Sequence, residues 1–353
     1  MNRFYPLEVV NVEFQTDYAK EISFALPNEI KEDFCYHPGQ YITLRFNLDG
    51  QDVRRSYSLC SSPNEDTLRI AVKRLKGGLV SNHINDTIKV GDMVEVLPPD
   101  GRFFADIKPQ NYKTYYLFAG GSGITPILSI LKSVLLTEKH SYVNMVYANR
   151  SQDTIMFQRE LKELQAEYSN RFILVHYLSK PIINWLKKDT LVFEKGRMDS
   201  QATQAFMDSF PPYAQNVEYY ICGPEKMKDS IVKSLKNIDV PDNRIFIESF
   251  GGGKGKKVEH VVENSKLKAI LQGETVTTQI PKGKTVLRAL LKNGNEPPYS
   301  CEGGVCSTCK CKVVKGKVAM KKNFALTEKE IKDGYVLSCQ SLPLTEEIEV
   351  IFE

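Results

Sequence analysis

The sequence predicts a multidomain fold in which an antiparallel β domain, a parallel-sheet α/β domain and a small C-terminal domain follow one another. Three observations predict it. The 353 residues exceed one ordinary domain. Short strands give way to strand–helix alternation near residue 110, and the glycine-rich, charged run Gly251–Lys257 resembles a linker. We therefore predict domains at residues 1–109, 110–250 and 259–353, with a linker at 251–258.

Composition excludes several classes of function. Hydrophobic residues make up 42% and charged residues 25% of the chain, as in soluble globular proteins. The formal charge is only +4 and no long basic block occurs, so we expect no nucleic-acid partner. The N-terminus has no apolar signal core, and nowhere do 18 apolar residues run together, which predicts a cytoplasmic protein without a membrane span. Eight cysteines in a reducing compartment then indicate metal or redox chemistry.

The first domain is predicted to be all-β. Leu68–Val72 alternates between apolar and other residues, Pro98–Gly101 is predicted to be a turn, and few windows have helical period. These patterns are typical of a β-barrel or a β-sandwich.

The second domain is predicted to alternate strands and helices around a parallel sheet. The apolar run Tyr115–Ala119 indicates a strand buried on both faces, and it precedes four residues rich in glycine and then a helical pattern. A second strand, Tyr142–Tyr147, leads to a helix that we expect Asp153 to cap. The alternation continues with strands at Phe172–Val175 and Tyr219–Cys222 and a helix near Lys226–Leu235.

Four cysteines of the C-terminal domain have the spacing of iron–sulfur ligands. Cys301, Cys306 and Cys309 form C-x4-C-x2-C and Cys339 follows, which is the plant-type [2Fe–2S] pattern. Such a loop curls tightly and aims N–H groups at the sulfurs, and its small residues suit this. Zinc is the alternative, but a zinc ribbon presents two short cysteine knuckles, whereas Cys339 stands alone. Cys311 fits neither spacing and is expected to be a buried thiol.

Two segments of the first domain carry residues that suit a phosphate-containing cofactor. Arg55-Ser-Tyr-Ser58 resembles the flavin motif R-x-Y-S of the ferredoxin–NADP reductase family. The resemblance implies that Arg55 binds a phosphate, Tyr57 packs on the isoalloxazine and Ser58 bonds flavin N5. Gly77-Gly-Leu-Val-Ser81 resembles the helix N-terminus that binds the flavin pyrophosphate, which favours FAD over FMN. The alternative is a surface hairpin with incidental polar residues.

The second domain carries matching nicotinamide segments. Gly120-Gly-Ser-Gly-Ile-Thr-Pro126 lies between a strand and a helix, as a dinucleotide-binding loop requires. The resemblance places Thr125 near the nicotinamide and the cysteine of Cys222-Gly-Pro224 beside the nicotinamide C4. A generic glycine turn and a buried structural cysteine are the alternatives. Arg150 and Ser151 follow the second strand, where arginine accommodates a 2′-phosphate, so we predict NADPH, with NADH possible.

The junction Glu248-Ser-Phe250 completes the predicted site, because in relatives with a fused ferredoxin this segment lies beside the flavin. Phe250 is then expected to shield the isoalloxazine. The predicted catalytic residues are Ser58, Cys222 and Glu248. The predicted cofactor-binding residues are Arg55, Ser56, Tyr57, Ser58, Gly77, Gly78, Val80, Ser81, Gly120, Gly121, Ser122, Gly123, Thr125, Pro126, Arg150, Ser151, Cys222, Gly223, Pro224, Met227 and Phe250, and the metal ligands are Cys301, Cys306, Cys309 and Cys339.

Taken together, the chain resembles the ferredoxin–NADP reductase superfamily fused to a C-terminal plant-type ferredoxin. It is most similar to the reductase components of phenylacetyl-CoA epoxidase and related multicomponent oxygenases. The resemblance implies an FAD-binding β-barrel, an NAD(P)-binding α/β domain and an α+β β-grasp ferredoxin domain. It also implies electron transfer from NADPH through FAD and the [2Fe–2S] cluster to a di-iron oxygenase or another acceptor protein. We expect the partner to dock on the cluster loop, Gly303–Thr308. Lys310 and Lys312 beside it form either a positive rim for an acidic partner or a solubilising face.

Two other functions fit the same cofactors. A redox-sensing adaptor needs the same binding residues but no rapid turnover. An electron-transfer subunit of the dihydroorotate-dehydrogenase type is the second alternative. Such subunits usually have a shorter C-terminal cluster segment, so the full ferredoxin domain of this chain argues against it.

Overall fold

The computed structural model describes residues 3–182, 191–250 and 255–352. Residues 251–254 of the predicted linker therefore lie outside the described part. The chain forms two compact units, of which the larger contains Arg3–Val53 and Tyr57–Ser249. The predicted boundaries between domains stay a prediction. No helix among the described residues has both the length and the apolar character that a membrane crossing requires.

Six antiparallel strands and one helix form the N-terminal barrel. Strand order in the sheet is β4-β3-β6-β1-β2-β5. A bridge between Leu59 and Ile70, and the bond from Cys60 N to Arg69 O (2.8 Å), join the chain after β4 to β5, so the two edges of the sheet meet. The elements are β1 Tyr5–Thr16, β2 Ala19–Ala25, β3 Tyr41–Leu48, β4 Gln51–Ser58, β5 Thr67–Lys73, α1 Leu79–Thr87 and β6 Met93–Asp100.

Alternating positions of the strands fill the barrel. In β1, Leu7 and Val9 are fully buried while their neighbours Glu8 and Val10 are exposed. The same side of the sheet contributes Ile22 and Phe24 of β2. The sequence pattern therefore predicted the all-β domain correctly, and the closure between β4 and β5 selects the barrel over the sandwich.

The larger unit also contains a second six-stranded sheet, which is parallel as predicted. Its strand order is β10-β9-β8-β7-β11-β12, and each neighbouring pair of strands in this order runs in parallel. The elements are β7 Thr114–Gly120, α2 Ile124–Thr137, β8 Tyr142–Asn149, α3 Gln158–Glu167, β9 Phe172–Leu178, β10 Phe193–Lys195, α4 Ser200–Ser209, β11 Val217–Cys222, α5 Glu225–Asn237 and β12 Ile245–Glu248.

Helix α2 joins this sheet to the barrel. Residues 124–135 of the helix are all buried. On its barrel side, Ser129 Oγ donates to Ser61 O at 2.6 Å. Cys60 and Ala71 of the barrel belong to the same apolar core as Leu117 of β7. The barrel and the parallel sheet are therefore packed as one unit.

Two local predictions were wrong. Pro98–Gly101 is not simply a turn, because β6 continues through both prolines to Asp100 and only Gly101, with φ of +126°, leaves the strand. The register against β3 shifts between Thr43 and Tyr41, and this irregularity accommodates prolines that donate no ladder hydrogen bond. Asp153 does not cap α3 either. It lies in a short 3₁₀ turn that is capped by Ser151, and α3 begins only after Phe157.

The smaller unit contains a mixed five-stranded sheet of order β14-β13-β19-β15-β17 and a short ribbon of β16 and β18. β13 pairs in parallel with β19, whereas β13 with β14, and β15 with β17 and β19, pair antiparallel. Helix α6 contributes Val286, Ala289 and Leu290 to the core of this sheet, which confirms the predicted β-grasp fold. The elements are β13 Ser265–Leu271, β14 Glu274–Ile280, α6 Val286–Lys292, β15 Lys310–Lys315, β16 Val318–Met320, α7 Glu328–Lys332, β17 Tyr335–Leu337, β18 Ser341–Pro343 and β19 Glu347–Ile351.

Candidate functional site

The loops after β7 and β11 meet at the point where the strand order of the parallel sheet reverses. From β7 the chain continues to β8 on one side, whereas β11 lies on the other side. In open α/β sheets such a switch point, at the carboxyl ends of the strands, is where ligands bind. The predicted dinucleotide loop, residues 120–126, follows β7, and the predicted Cys222–Pro224 segment follows β11. The fold therefore brings the two nicotinamide segments to one place.

Glycines allow these two loops to touch. A side chain on Gly120 would lie 2.6 Å from Pro224 Cδ and 2.8 Å from Met227 Sδ, and one on Gly123 would collide with the carbonyl of Cys222. Gly121 has a φ of +53° and open space around it. Two of the three glycines are thus required by loop packing, a reason that the motif alone did not reveal. Thr125 is buried, and its hydroxyl donates to Ser122 O at 3.2 Å.

The three predicted catalytic residues come together in the larger unit. Cys222 ends β11 and is paired in register with Glu248, the last residue of β12. Ser58, at the end of β4, donates from Oγ to Glu248 Oε2 at 3.3 Å. The thiol of Cys222 is buried, with the residue 1% exposed. A hydroxyl, a thiol and a carboxyl from three strands are therefore adjacent, although 190 residues separate Ser58 from Glu248.

The environment raises the pKa of both acidic groups. Burial raises the pKa of Glu248 to about 8, although the hydrogen bond from Ser58 and the charge of Lys228 oppose the rise. Burial, and then the charge of Glu248, hold the pKa of Cys222 well above its ordinary value. At pH 7 the thiol is therefore neutral, and the raised pKa favours the protonated form of Glu248.

Lys228 is a member of this site that the sequence did not single out. It lies in the first turns of α5, is 3% exposed, and contacts Glu225 Oε2 at 3.2 Å. Its Nζ also donates to Ser249 Oγ, next to Glu248. A lysine four residues after Pro224, in the first turns of a helix that follows a predicted binding loop, was the available signal.

Phe250, predicted to shield the flavin, is 46% exposed.

The predicted flavin segments occupy a strand end and a helix start. Arg55, Ser56, Tyr57 and Ser58 are the last four residues of β4. Helix α1 begins at Leu79 after Gly78, and no side chain caps its first N–H groups. Gly77 has a φ of +71°, and a side chain on Gly78 would collide with Ser81 Oγ. Because an uncapped helix N-terminus favours anions, these residues fit a phosphate-containing cofactor. Val80 and Ser81 are buried in that turn, and the ring of Tyr57 is partly buried against the barrel core.

An acidic residue adjoins the predicted coenzyme-selecting pair. Arg150 is exposed after the end of β8, as its predicted role requires. Ser151 is buried, caps the 3₁₀ turn, and donates from Oγ to Asp153. Its hydroxyl is therefore already engaged, which leaves Arg150 as the main support for a 2′-phosphate. Sequence reasoning assigned Asp153 to a helix cap and therefore did not consider this acidic side chain beside the pair.

The four predicted ligand cysteines lie together in the smaller unit, in two pairs. Cys301 and Cys306 interact through their thiols, as do Cys309 and Cys339. The charge of Cys306 also affects Cys339, and the charge of Cys339 affects Cys301. All four side chains are at most 8% exposed. Among the described residues, no three His, Cys, Asp or Glu side chains converge as ligands of one metal ion. A [2Fe–2S] cluster does not need such convergence, because each iron takes two thiolates, so the paired arrangement fits the cluster better than zinc.

Backbone N–H groups surround the first thiol. Gly303 N and Cys306 N donate to Cys301 Sγ at 3.3 and 3.4 Å. Hydrogen bonding from the Cys306 thiol lowers the pKa of Cys301, against the effect of burial, and these N–H groups lower it further. A hydrogen bond from Cys309 likewise lowers the pKa of Cys339. Such donors favour thiolates, the form that binds iron. Cys311 instead lies in the apolar core of the sheet, as expected.

Family models match three successive parts of the chain. An oxidoreductase FAD-binding domain matches residues 6–104, an oxidoreductase NAD-binding domain matches residues 117–233, and a 2Fe-2S iron-sulfur cluster binding domain matches residues 269–344. The order agrees with the order of the three predicted sites. The cofactors are therefore FAD, a nicotinamide dinucleotide and a [2Fe–2S] cluster.

Similar proteins cover the whole chain. A subunit of 1,2-phenylacetyl-CoA epoxidase from Escherichia coli is 36% identical over 100% of this chain and 99% of its own length. The ferredoxin reductase component of 3-ketosteroid-9-alpha-monooxygenase from Rhodococcus rhodochrous is 33% identical over 98% of this chain and 96% of its own. The solved structure of phthalate dioxygenase reductase has a TM-score of 0.63 at 23% identity, over 99% and 98% of the two chains, and shows the same fold.

Proposed function

Because the chain belongs to the ferredoxin–NADP reductase superfamily with a fused [2Fe–2S] domain, and is an NAD(P)H-dependent oxidoreductase, we propose that it supplies electrons to an oxygenase component. The observation that carries the proposal is the junction of Ser58, Cys222 and Glu248 at the switch point of the nucleotide-binding sheet. The similar proteins from Escherichia coli and Rhodococcus rhodochrous belong to an epoxidase and to a monooxygenase, and they match along the full chain.

The cofactors supply the redox chemistry: FAD accepts a hydride and the cluster carries single electrons. This chain's residues bind and orient them. The N-terminus of α1 would hold the FAD phosphates, and the loops after β7 and β11 would hold the nicotinamide. Cys222, neutral and buried, would lie beside the nicotinamide without competing as a nucleophile. Ser58 would orient the reacting edge of the flavin and would pass a proton to or from Glu248 Oε2.

The coenzyme is proposed to be NADPH, with NADH a weaker donor. An exposed guanidinium at Arg150 supports binding of a 2′-phosphate. The engaged hydroxyl of Ser151 and the carboxylate of Asp153 oppose it. Eight cysteines, none of them paired in a disulfide, support a cytoplasmic location.

The acceptor is proposed to be a di-iron oxygenase of the phenylacetyl-CoA epoxidase kind. Support comes from the similarity to the epoxidase protein of Escherichia coli. A pull-down from native extract, followed by an NADPH-dependent oxygenation assay with the recovered protein, tests this. Recovery of only a soluble redox carrier that the protein reduces would contradict the oxygenase partner.

Anaerobic NADPH titration of the purified protein tests internal transfer. The visible band of the flavin should bleach first and that of the cluster next. Cys306→Ser is the matched control, because it removes one ligand and should leave the flavin reducible. A cluster that stays oxidised while the flavin is fully reduced would contradict internal transfer.

Turnover separates an enzyme from a redox sensor. Ferricyanide needs no docking surface, so NADPH-driven ferricyanide reduction reports the chemistry alone. We expect turnover near the value for a typical enzyme, about 10 per second. Turnover far below about 1 per second would favour the sensor.

A further inference from the structure

The smaller unit carries a groove with an apolar floor and a basic rim. Its volume is about 700 Å³, within the range of binding cavities. Val318, Met320 and Val336 form part of the floor. Every charged residue that lines the groove, within the described part of the chain, is a lysine: Lys256, Lys317, Lys321 and Lys322. Neither the site described above nor the predicted docking loop includes this groove.

Backbone geometry holds the groove open. Gly316 has a φ of +83°, and a side chain there would collide with the carbonyl of Glu347, so the turn between β15 and β16 accepts only glycine. β16 is then fixed by antiparallel pairing with β18, in which Val318 faces Pro343 and Met320 faces Ser341. Across the groove, Ile331 of α7 is 43% exposed. The apolar floor is therefore preformed and partly open to solvent.

The segment that supplies most of the groove lining is rich in lysine. Residues 310–333 contain eight lysines and three acidic residues, and Lys317, Lys321 and Lys322 of this segment line the groove. No acidic side chain accompanies them in the lining, within the described part of the chain. A cluster of one charge sign at a groove steers an acidic partner to that face.

The rim adjoins the cluster loop. Lys321 N donates to Gln340 O at 3.0 Å, and Gln340 Nε2 approaches Cys339 Sγ at 3.6 Å. Next to it, a side chain on Gly304 of the cluster loop would lie 3.1 Å from Lys322 O. One residue thus separates the rim from a ligand thiol. A partner seated in the groove lies beside the cluster, as electron transfer over a short distance requires.

We propose that this lysine-rimmed groove docks an acidic segment of the electron-accepting protein, with an aliphatic or aromatic side chain of that segment seated on Val318 and Met320. The identity of the partner as electron acceptor rests on the proposed function, but binding of the segment does not. A protein segment fits better than a nucleotide, because several spaced carboxylates can meet lysines spread along the groove. The lining contains neither an arginine, which binds phosphate through two hydrogen bonds, nor the N-terminus of a long helix.

Fluorescence anisotropy with the full-length protein, loaded with FAD and cluster, tests the groove. The probe is a fluorescein-labelled dodecapeptide of aspartate and glutamate with a central Leu-Phe pair. Lys317→Gln combined with Lys321→Gln should weaken its binding about tenfold, given the usual strength of surface ion pairs. The matched control, Lys282→Gln with Lys284→Gln, removes two exposed lysines of the same domain outside the lining and should change binding less than about twofold.

Further probes separate the groove from general attraction. Replacing the Leu-Phe pair by Ser-Ser should weaken binding about fivefold, because the anchor loses its apolar floor. Equal weakening by both lysine pairs, or no saturable binding at low salt, overturns the proposal. So does displacement of the peptide by inorganic tripolyphosphate at equal or lower concentration, which would show a small-anion site. The visible spectrum of the cluster and ferricyanide reduction by each variant establish that the fold and the chemistry are intact.

The outcomes for docking and for the proposed function are distinguishable. If the protein binds the peptide in the groove but NADPH never reduces its cluster, the docking site is supported and the reductase function is contradicted. If NADPH reduces the cluster but both lysine double variants bind the peptide equally well, the reductase function is supported and the docking site is contradicted.

Discussion

Single residues set the proton and coenzyme chemistry of the candidate site. Glu248 is the clearest case, because β12 places its carboxyl against Ser58 and beside the end of β11. Its position in the chain says nothing about this. Only the pairing of β11 with β12, together with the end of β4, creates the environment.

The first prediction concerns pH. The pKa of Glu248 is about 8 in the folded protein against an ordinary value of 4.5. Stability from the neutral carboxyl is therefore fully present below about pH 4.5 and is lost as pH rises from there through about 8. Glu248→Gln removes this dependence, so between about pH 5 and about pH 9 the variant should gain roughly 4 kcal/mol relative to wild type. Urea unfolding at several pH values measures it. The exposed Glu29→Gln should match wild type, and parallel curves for wild type and Glu248→Gln would refute the pKa.

The second prediction concerns Arg150. Arg150→Glu replaces a phosphate partner by a repelling charge, so kcat/KM for NADPH should fall more than about tenfold, with NADH affected less than about threefold. Asp153→Asn should act in the opposite direction and improve NADPH use. Arg159→Glu, on an exposed part of α3, serves as the control. Equal losses with both coenzymes would make Arg150 a structural residue.

At the scale of elements, local patterns predicted what local forces determine. The apolar run of β7, the glycine loop and α2 were foreseen, because strand, turn and helix are encoded within about twenty residues. The irregular β6 was not predicted, because it depends on the register of β6 against the distant strand β3. The cap by Ser151 was not predicted either, because it depends on a capping box with Thr154. The site residues were located by resemblance to a family, and their contacts became known only from the pairing of distant strands.

The third prediction concerns the contact of the two nicotinamide loops. Gly123→Ala forces the segment after β11 away from the loop after β7, because the added carbon meets the carbonyl of Cys222. A displacement of about 1 Å at a reacting centre costs up to about 100-fold, so hydride transfer from NADPH should slow by roughly 10- to 100-fold while FAD stays bound. Stopped-flow reduction of the flavin measures this. Gly121→Ala meets no atom and should cost only backbone strain, so equal slowing in both variants would contradict the packing argument.

The larger unit as a whole is fastened by a network of five charged side chains. Arg69 of β5 contacts Glu21 of β2 at 2.6 Å and Glu160 of α3 at 3.0 Å. Lys132 of α2 contacts Glu65 at 2.5 Å and Glu160 at 3.1 Å. Burial works to raise the pKa of Glu160, but Arg69 and Lys132 more than offset it and lower the pKa. This network therefore links strands of the barrel to the helices α2 and α3 that flank the parallel sheet.

The fourth prediction tests that network. Arg69→Met leaves Glu21, 3% exposed, without its guanidinium, and should destabilise the larger unit by about 3 kcal/mol. Thermal unfolding should show a drop of roughly 6–12 °C. Arg159→Met breaks the exposed pair with Glu13 and should cost less than about 1 kcal/mol. A similar small change for both variants would show that the network adds nothing beyond packing.

The strand order of the parallel sheet also determines when each strand can pair during synthesis of the chain. β7 pairs with β11 in a register that joins Thr114 to Val217, so the ribosome makes about a hundred further residues before that side of β7 is covered. The barrel strands, in contrast, are all made by Asp100. The growing chain therefore contains all strands of the barrel while the apolar central strand β7 still lacks its partner β11. During that interval the nascent protein exposes β7 to chaperones, and its flavin compartment exists before its nicotinamide compartment.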